Sequence, residues 1–307
     1  MGHRILIIGS EGLIGSALRA SLEARGRQVV GLDLRGVGSQ QGDVRDPLRV
    51  RDAIVGCCGV VHLAAISRVV WGERDPQRCW STNVGGLRNV LIAAGEEARR
   101  PWVLFASSRE VYGQPRRLPA TEDTPLRPVN VYGRSKVEGE RLVEEARMNG
   151  LRASTVRLSN VYGSARDHAD RVAPAFARAA VEGTAIRIDG AECTFDFTHI
   201  DDAVRGMVAV MERLDNGLPQ PPIHLLTGMP TTLRELAATA MTLAGQNVPI
   251  VEAPPRSFDV SRFHGDPTRA RTLLGWTPRV GLRDGIDRLI HDLRTRSDAI
   301  DHEEAAS

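Results

Sequence analysis

Arg4-Ile5-Leu6-Ile7-Ile8-Gly9-Ser10-Glu11-Gly12-Leu13-Ile14-Gly15 decides the fold. The run from Arg4 to Ile8 has strand character, glycines follow at Gly9, Gly12 and Gly15, and an amphipathic pattern continues to about Arg25. That order reads as strand, tight glycine turn, helix. Gly9 allows the turn, Gly12 lets the backbone approach a pyrophosphate, and Gly15 lets the helix pack closely on the strand. The helix N-terminus adds unpaired N–H groups and a partial positive charge, and Leu13 and Ile14 complete the predicted cofactor contacts of the turn. A second apolar run, Val29-Val30-Gly31-Leu32, ends at Asp33, where a carboxylate can bind adenosine ribose hydroxyls. Asp33 argues for NAD over NADP because it repels a 2′-phosphate, while Arg35, two residues on, points the other way.

Outward from this unit, apolar runs recur at about 4–8, 28–32, 58–63, 102–106 and 153–158, separated by helical patterns at 13–25, 76–98 and 131–149. The alternation predicts an α/β fold: a doubly wound parallel sheet of Rossmann type with helices on both faces. The ligand crevice then lies at the carboxyl ends of the strands, where Gly9, Asp33, Ala64 and Ser108 fall. Past Asn160 the pattern loosens into a helix from about Arg171, a strand near Ile186-Arg187-Ile188, and Phe195-Asp196-Phe197, the start of a smaller substrate-binding lobe. A capped helix over 201–213 and a last sheet strand at Ile223-His224-Leu225-Leu226 return to the first unit. Residues 1–160 with 196–230 are thus expected to form the dinucleotide-binding domain, and 161–195 with 231–296 an interleaved substrate lobe. Within that lobe Pro249-Ile250-Val251 reads as a strand, Asp266-Pro267 opens a short helix, and Gly281 to Leu293 forms the last helix. The acidic, alanine-ending tail 297–307 is expected to be disordered.

Composition narrows the function classes. A chain of 307 residues, 42% hydrophobic and 25% charged, can bury the core of an ordinary enzyme. A formal net charge of +2 implies no polyanion partner, so nucleic acid is not expected, and the pairs Arg99-Arg100 and Arg116-Arg117 read as solvated charges. Cys57, Cys58, Cys79 and Cys193 offer neither a metal spacing nor a disulfide framework. No charged-then-apolar leader opens the chain, and no apolar run approaches the roughly 18 residues of a membrane span, so a cytoplasmic protein with no membrane partner is expected. His62, His199 and His224 sit in apolar runs and read as packing histidines, and no metal is expected. Trp71 and Trp80, which bracket a segment able to cover a sugar, read as core or interface.

Tyr132-Gly133-Arg134-Ser135-Lys136 carries the chemistry. A Tyr and a Lys at i and i+4 share a helix face. On a nucleotide pocket, the ammonium and an oxidised nicotinamide ring would both favour phenolate, making a base of a phenol with pKa about 10.

With these features the chain resembles the extended short-chain dehydrogenase/reductase family, specifically its nucleotide-sugar epimerases and dehydratases, over nearly its whole length. The matching residues are Gly9, Gly12 and Gly15, Asp43 in Gly42-Asp43-Val44-Arg45-Asp46, His62-Leu63-Ala64-Ala65, Asn83, Ser107-Ser108 before Val111-Tyr112-Gly113, and the Tyr132/Lys136 pair. The resemblance implies that Asp43 and Val44 meet the adenine, and that Leu63, Ala64, Ala65 and Asn83 pass beside the cofactor. It also implies that Ser108 hydrogen-bonds the reacting oxygen, that Lys136 holds the cofactor ribose, and that the chain forms a homodimer through helices near 83–98 and 131–149.

Arg109-Glu110 stands where the dehydratases carry an Asp-Glu acid and base pair. A guanidinium, with pKa above about 12, donates no proton near neutrality, so elimination of water by that arrangement is not expected. Glu110 alone is open between a chemical role, as in sugar-acid decarboxylases, and a structural one. Asn160, Arg256 and Asp259 match family positions that contact the sugar, diphosphate and ribose of the substrate. An arginine that many relatives place in an Arg-Asp-Phe/Tyr strand is Phe195 here, with Arg187 and Arg166 as candidates to compensate. The function this implies is NAD-dependent epimerisation of a nucleotide-diphosphate sugar, at C4. The alternatives are decarboxylation or dehydration using Glu110, a sugar reductase or dehydrogenase, and a silent dinucleotide-binding sensor or scaffold.

Overall fold

The computed structural model describes the backbone of residues 4–305 and the side chains of residues 4–295. Its first strand, β1 (Arg4–Ile8), shows why the opening run is apolar throughout: Ile5 and Ile7 enter one hydrophobic core while Leu6 and Ile8 enter another. Successive side chains of a strand point to opposite faces, so a strand covered on both sides needs no polar residue. Helix α1 (Leu13–Glu23) and β2 (Gln28–Leu32) complete the first unit.

After α2 (Pro47–Ile54) come β3 (Gly59–His62), α3 (Val69–Arg74), α4 (Pro76–Trp80) and α5 (Gly86–Glu96). Next are β4 (Trp102–Ser108), α6 (Val131–Met148), β5 (Ala153–Leu158) and β6 (Asn160–Tyr162). The chain then runs through α7 (Val172–Glu182), β7 (Ile186–Asp189), β8 (Thr194–His199), α8 (Ile200–Asp215), β9 (Ile223–Leu225) and β10 (Pro230–Thr232). It ends with α9 (Leu233–Ala244), β11 (Ile250–Ala253), α10 (Thr268–Leu274) and α11 (Leu282–Ala305).

The main sheet has six strands in the order β2-β1-β3-β4-β5-β9, and every pairing is parallel. Leu18 and Leu22 of α1 pack with α8 on one face; Val50 of α2, Val90 of α5 and Leu142 of α6 pack on the other. This is the doubly wound arrangement, and every residue of the central strand β4 is buried. A further core gathers α7, α9 and α11 around the two-stranded sheet of β7 and β11, beside the three-stranded sheet β10-β8-β6.

One expectation from periodicity changes. The helical pattern 76–98 is two helices joined by a π-type turn at Ser81–Gly85. The Gly85-Gly86 pair weakens the helix there, and Asn83 turns its amide inward to bond neighbouring segments. Past Leu293, α11 continues as backbone helix to Ala305, where a tail without order is expected from the sequence. The stretch Ser297 to Ala305 has no proline or glycine and is rich in alanine and acidic residues, so nothing in it stops the helix. Residues 306 and 307 lie outside the described residues.

Candidate active site

A cavity of about 910 Å³ runs along the carboxyl ends of β1, β3, β4 and β5, from the glycine turn to Arg256 and Asp259. Its floor requires glycine. Gly9 has φ +89°, and a Cβ there would lie 2.6 Å from the Ala64 amide nitrogen; a Cβ on Gly15 would lie 2.1 Å from the Gly9 carbonyl oxygen. Gly12, the N-cap of α1, offers no side chain to the first-turn N–H groups, and Leu13 and Ile14 line the cavity. A phosphate is what such a turn can hold.

Asp33 follows β2 on the cavity rim, its Oδ2 accepting from the Glu11 amide at 3.0 Å and its Oδ1 from the Arg35 amide at 2.9 Å. Arg35 folds back to donate to the Glu11 carbonyl at 2.7 Å, so its charge lies against Asp33 and the loop. Asp43 is held below the usual carboxylate range by Arg45, whose Nε donates to it at 2.9 Å. With Val44, Leu63, Ala64 and Ala65 it lines the same cavity. These residues fit a dinucleotide with free ribose hydroxyls. Asn83, expected beside the cofactor, is buried, its Oδ1 accepts from the Ile66 amide at 2.8 Å, and its Nδ2 donates to Ser135 at 2.9 Å. It fastens the loop after β3 to α6, and its amide is taken up by those bonds.

Ser108 ends β4, and Tyr132 and Lys136 occupy the first turns of α6; all three line the cavity. Asn130 caps α6 by accepting from the Gly133 amide at 2.7 Å, which aims the Tyr132 turn. Burial pushes the Tyr132 phenol up to about 12, opposed first by the Ser108 hydroxyl and then by the Arg171 cation. Lys136 donates to the Ala106 carbonyl at 2.7 Å and lies 4.8 Å over the Phe105 ring, and burial pushes its amine down to about 8. The ammonium expected to draw the phenol toward phenolate sits 5.8 Å over the Tyr132 ring. Lys136 is also the only lysine of the chain, every other basic position being arginine or histidine. A site that needs a compact amine able to change protonation cannot use arginine.

Beneath these groups lies a buried polar network. Arg157 of β5 grips Glu140 of α6 through two bonds of 2.9 and 2.7 Å, Ser107 donates to Glu140 at 2.5 Å, and Arg157 donates to the Tyr112 hydroxyl at 2.6 Å. That hydroxyl meets His224 of β9 at 2.6 Å. The network ties β4, α6, β5 and β9 together and so fixes the relative positions of Ser108 and Tyr132. Burial pushes His62 and His224 down to about 3, as suits neutral packing rings. Among the described residues no group of His, Cys, Asp and Glu is arranged to hold a metal, and no helix is long and apolar enough to cross a membrane.

Glu110 has both oxygens engaged, Oε2 with Asn130 at 2.7 Å and Oε1 with Arg109 at 2.9 Å. It is bonded to the cap of the Tyr132 helix. Asn160 lines the cavity, and Arg256 pairs with Asp259 at 2.7 Å. Arg187 lines the rim, 70% exposed and paired with Asp189. Sequence reasoning did not single out Arg68 or the Arg171 side chain. Arg68 donates to Asp170 at 2.8 Å, and Arg171 donates to Ser67 at 3.0 Å while its Nε stands 3.3 Å from Asp167, clasping segments 67–68 and 167–171 beside the cavity. Burial lowers the Arg68 guanidinium, with Asp170 opposing and Arg171 and Arg256 adding to the fall, so three cations gather at this mouth. The one signal for Arg171 is its place just before α7, where a helix N-terminus adds to its charge. Trp71, read as core or interface, is 40% exposed and stands edge-on to His168 on the cavity wall.

Comparison with known proteins agrees with this geometry. The UDP-glucose 4-epimerase of Mycolicibacterium smegmatis is 32% identical, the alignment covering 96% of this chain and 99% of that one. UDP-glucuronic acid decarboxylase 3 of Arabidopsis thaliana is 29% identical, over 95% and 90%. The UDP-glucose 4-epimerase of Thermus thermophilus, solved in complex with NAD, superposes with a TM-score of 0.85 at 27% identity, over 95% of this chain and 99% of that one. The pattern of the NAD dependent epimerase/dehydratase family matches residues 5–224. The chain belongs to that family, and NAD is its cofactor.

Proposed function

We propose that this protein epimerises a uridine-diphosphate sugar at C4 through a transient 4-keto sugar. One observation carries the reading. Ser108, Tyr132 and Lys136 share a cavity with the dinucleotide turn, while the adjacent pair is Arg109 with a Glu110 whose two oxygens are both bonded. That is a redox centre without a free acid and base for elimination.

NAD held at the glycine turn, Asp33 and Asp43 would supply the hydride acceptor and donor for the sugar carbon. Tyr132 takes the proton of the reacting hydroxyl and later gives it back. Its phenol, at about 12 in the free protein, is protonated at neutral pH, so a cation close to the hydroxyl is needed to ready it as a base. Arg171 contributes to that, and Lys136 would hold the cofactor ribose. Ser108 donates to the oxygen as it becomes a carbonyl. Glu110 acts through Asn130, holding the start of α6. Arg68, Arg171 and Arg256 supply the charge for the diphosphate. The second reading, decarboxylation of a sugar acid, is favoured by the presence of Glu110 and by the decarboxylase relatives.

The test is to incubate the purified protein separately with UDP-glucose and UDP-glucuronate and to analyse the products by mass spectrometry and proton NMR. An isomer of unchanged mass, inverted at C4, supports epimerisation. Release of carbon dioxide or water contradicts it and gives Glu110 a chemical role.

A further inference from the structure

Strand β8 presents Phe195 to the cavity where an arginine is expected from the resemblance, and the two candidates to replace its charge lie at the surface. Arg187 is 70% exposed and tied to Asp189 at 2.9 Å, and Arg166 is exposed. Arg109 reaches the same place from another element. From the turn after β4 it lays its guanidinium 4.6 Å from the centre of the Phe195 ring, with Phe263 at 5.8 Å. Its Nη2 pairs with Glu110 at 2.9 Å; its Nη1 is buried without a hydrogen-bond partner, and the residue lines the cavity beside Ser108.

A guanidinium carries five donors in a rigid fork, accepts nothing and keeps its charge. Aromatic faces orient it, but a charged donor left unpaired out of water is costly. Holding Glu110 requires only Nη2, so a purely structural role leaves Nη1 unexplained. The acids beside it have partners of their own: the other oxygen of Glu110 accepts from Asn130, and Asp259 pairs with Arg256 through Oδ2. An oxyanion entering the cavity is the matching chemistry.

We infer that Arg109 binds an oxyanion of the substrate, supplying from the turn after β4 the guanidinium that strand β8 lacks at Phe195. The inference rests on the nucleotide-sugar reading. The oxyanion has two sources, the diphosphate and a carboxylate on the sugar.

Calorimetric titration of the NAD-loaded protein with UDP, UDP-glucose and UDP-glucuronate tests it. Arg109→Ser weakens at least one ligand by about tenfold or more, and adding Phe195→Arg to that variant restores most of the affinity. Loss toward all three ligands assigns the oxyanion to the diphosphate; loss confined to UDP-glucuronate assigns it to the sugar carboxylate. Because Arg109→Ser leaves Glu110 unpaired, Arg109→Met with Glu110→Gln serves as the folded control. It removes both charges, keeps an acceptor for Asn130, and shows the same loss with a thermal midpoint near that of the wild type. Unchanged affinity for all three ligands in that control, or a loss that Phe195→Arg fails to restore, overturns the inference. A wild-type protein that binds none of the three contradicts the nucleotide-sugar reading instead, so the two failures are distinct.

Discussion

Lys136 titrates far below an ordinary lysine, and the consequence for stability can be worked from its surroundings. Burial takes the amine from 10.5 to about 8 in the free protein. That gap corresponds to about 3 kcal/mol of preference for the neutral form. The folded state binds this proton more weakly than the unfolded state, so the cost is fully present below pH 8. It is relieved as the pH rises through 8 and is gone above 10.5. Lys136→Met removes the cost and also loses the Nζ bond to the Ala106 carbonyl, worth about 1 kcal/mol. The NAD-free variant is therefore predicted to be about 2 kcal/mol more stable than wild type at pH 7, with the advantage gone by pH 10.5, and to be inactive. Because the chain has one lysine, protein labelled with 13C at lysine Cε shows a single side-chain signal whose titration reads the pKa directly. Urea unfolding at pH 7 and pH 10 reads the stability. A signal titrating near 10, or a Met variant less stable than wild type at pH 7, refutes the reasoning.

Tyr132→Phe should lower turnover by about 10²–10⁴ while leaving NAD bound, measured by turnover and by dinucleotide released on denaturation. Gly15→Ala places a Cβ 2.1 Å from the Gly9 carbonyl oxygen, so the turn must shift, and NAD affinity should fall about tenfold or more by calorimetry. Normal NAD affinity in that variant would show the turn to be freer than the structure indicates. Glu140→Leu strands the buried Arg157 charge and should destabilise the protein by about 3–5 kcal/mol in urea unfolding; a change below about 1 kcal/mol would contradict the account of the network.

The sheet was legible because its strands are covered on both faces, so Ile5 to Ile8 and Trp102 to Ala106 read as apolar runs whatever surrounds them. The glycine turn was legible because Gly9 and Gly15 answer backbone contacts that a Cβ would violate. Asn83 was expected beside the cofactor and Glu110 was left open between a chemical and a structural role, since an amide or carboxylate in a sequence does not reveal which partner takes its hydrogen bonds. Arg68 and Arg171 lie about a hundred positions apart and meet only through the approach of the second lobe, and one arginine among so many carries no mark of its own. The single lysine was a signal available from the sequence: where arginine serves everywhere else, the exception marks a demand for an amine. The interruption at Ser81–Gly85 was hidden because a π-type turn preserves the apolar stripe on either side of it.

The proposed function requires that one enzyme-bound NAD remove and return the same hydride. UDP-glucose deuterated at C4 tests it directly, with product position and label read by NMR and the protein-bound dinucleotide by mass spectrometry. The account predicts a C4 epimer that keeps its deuterium at C4, formed in ordinary water by protein that retains its NAD. Deuterium appearing in solvent, or released on free NADH, would contradict it.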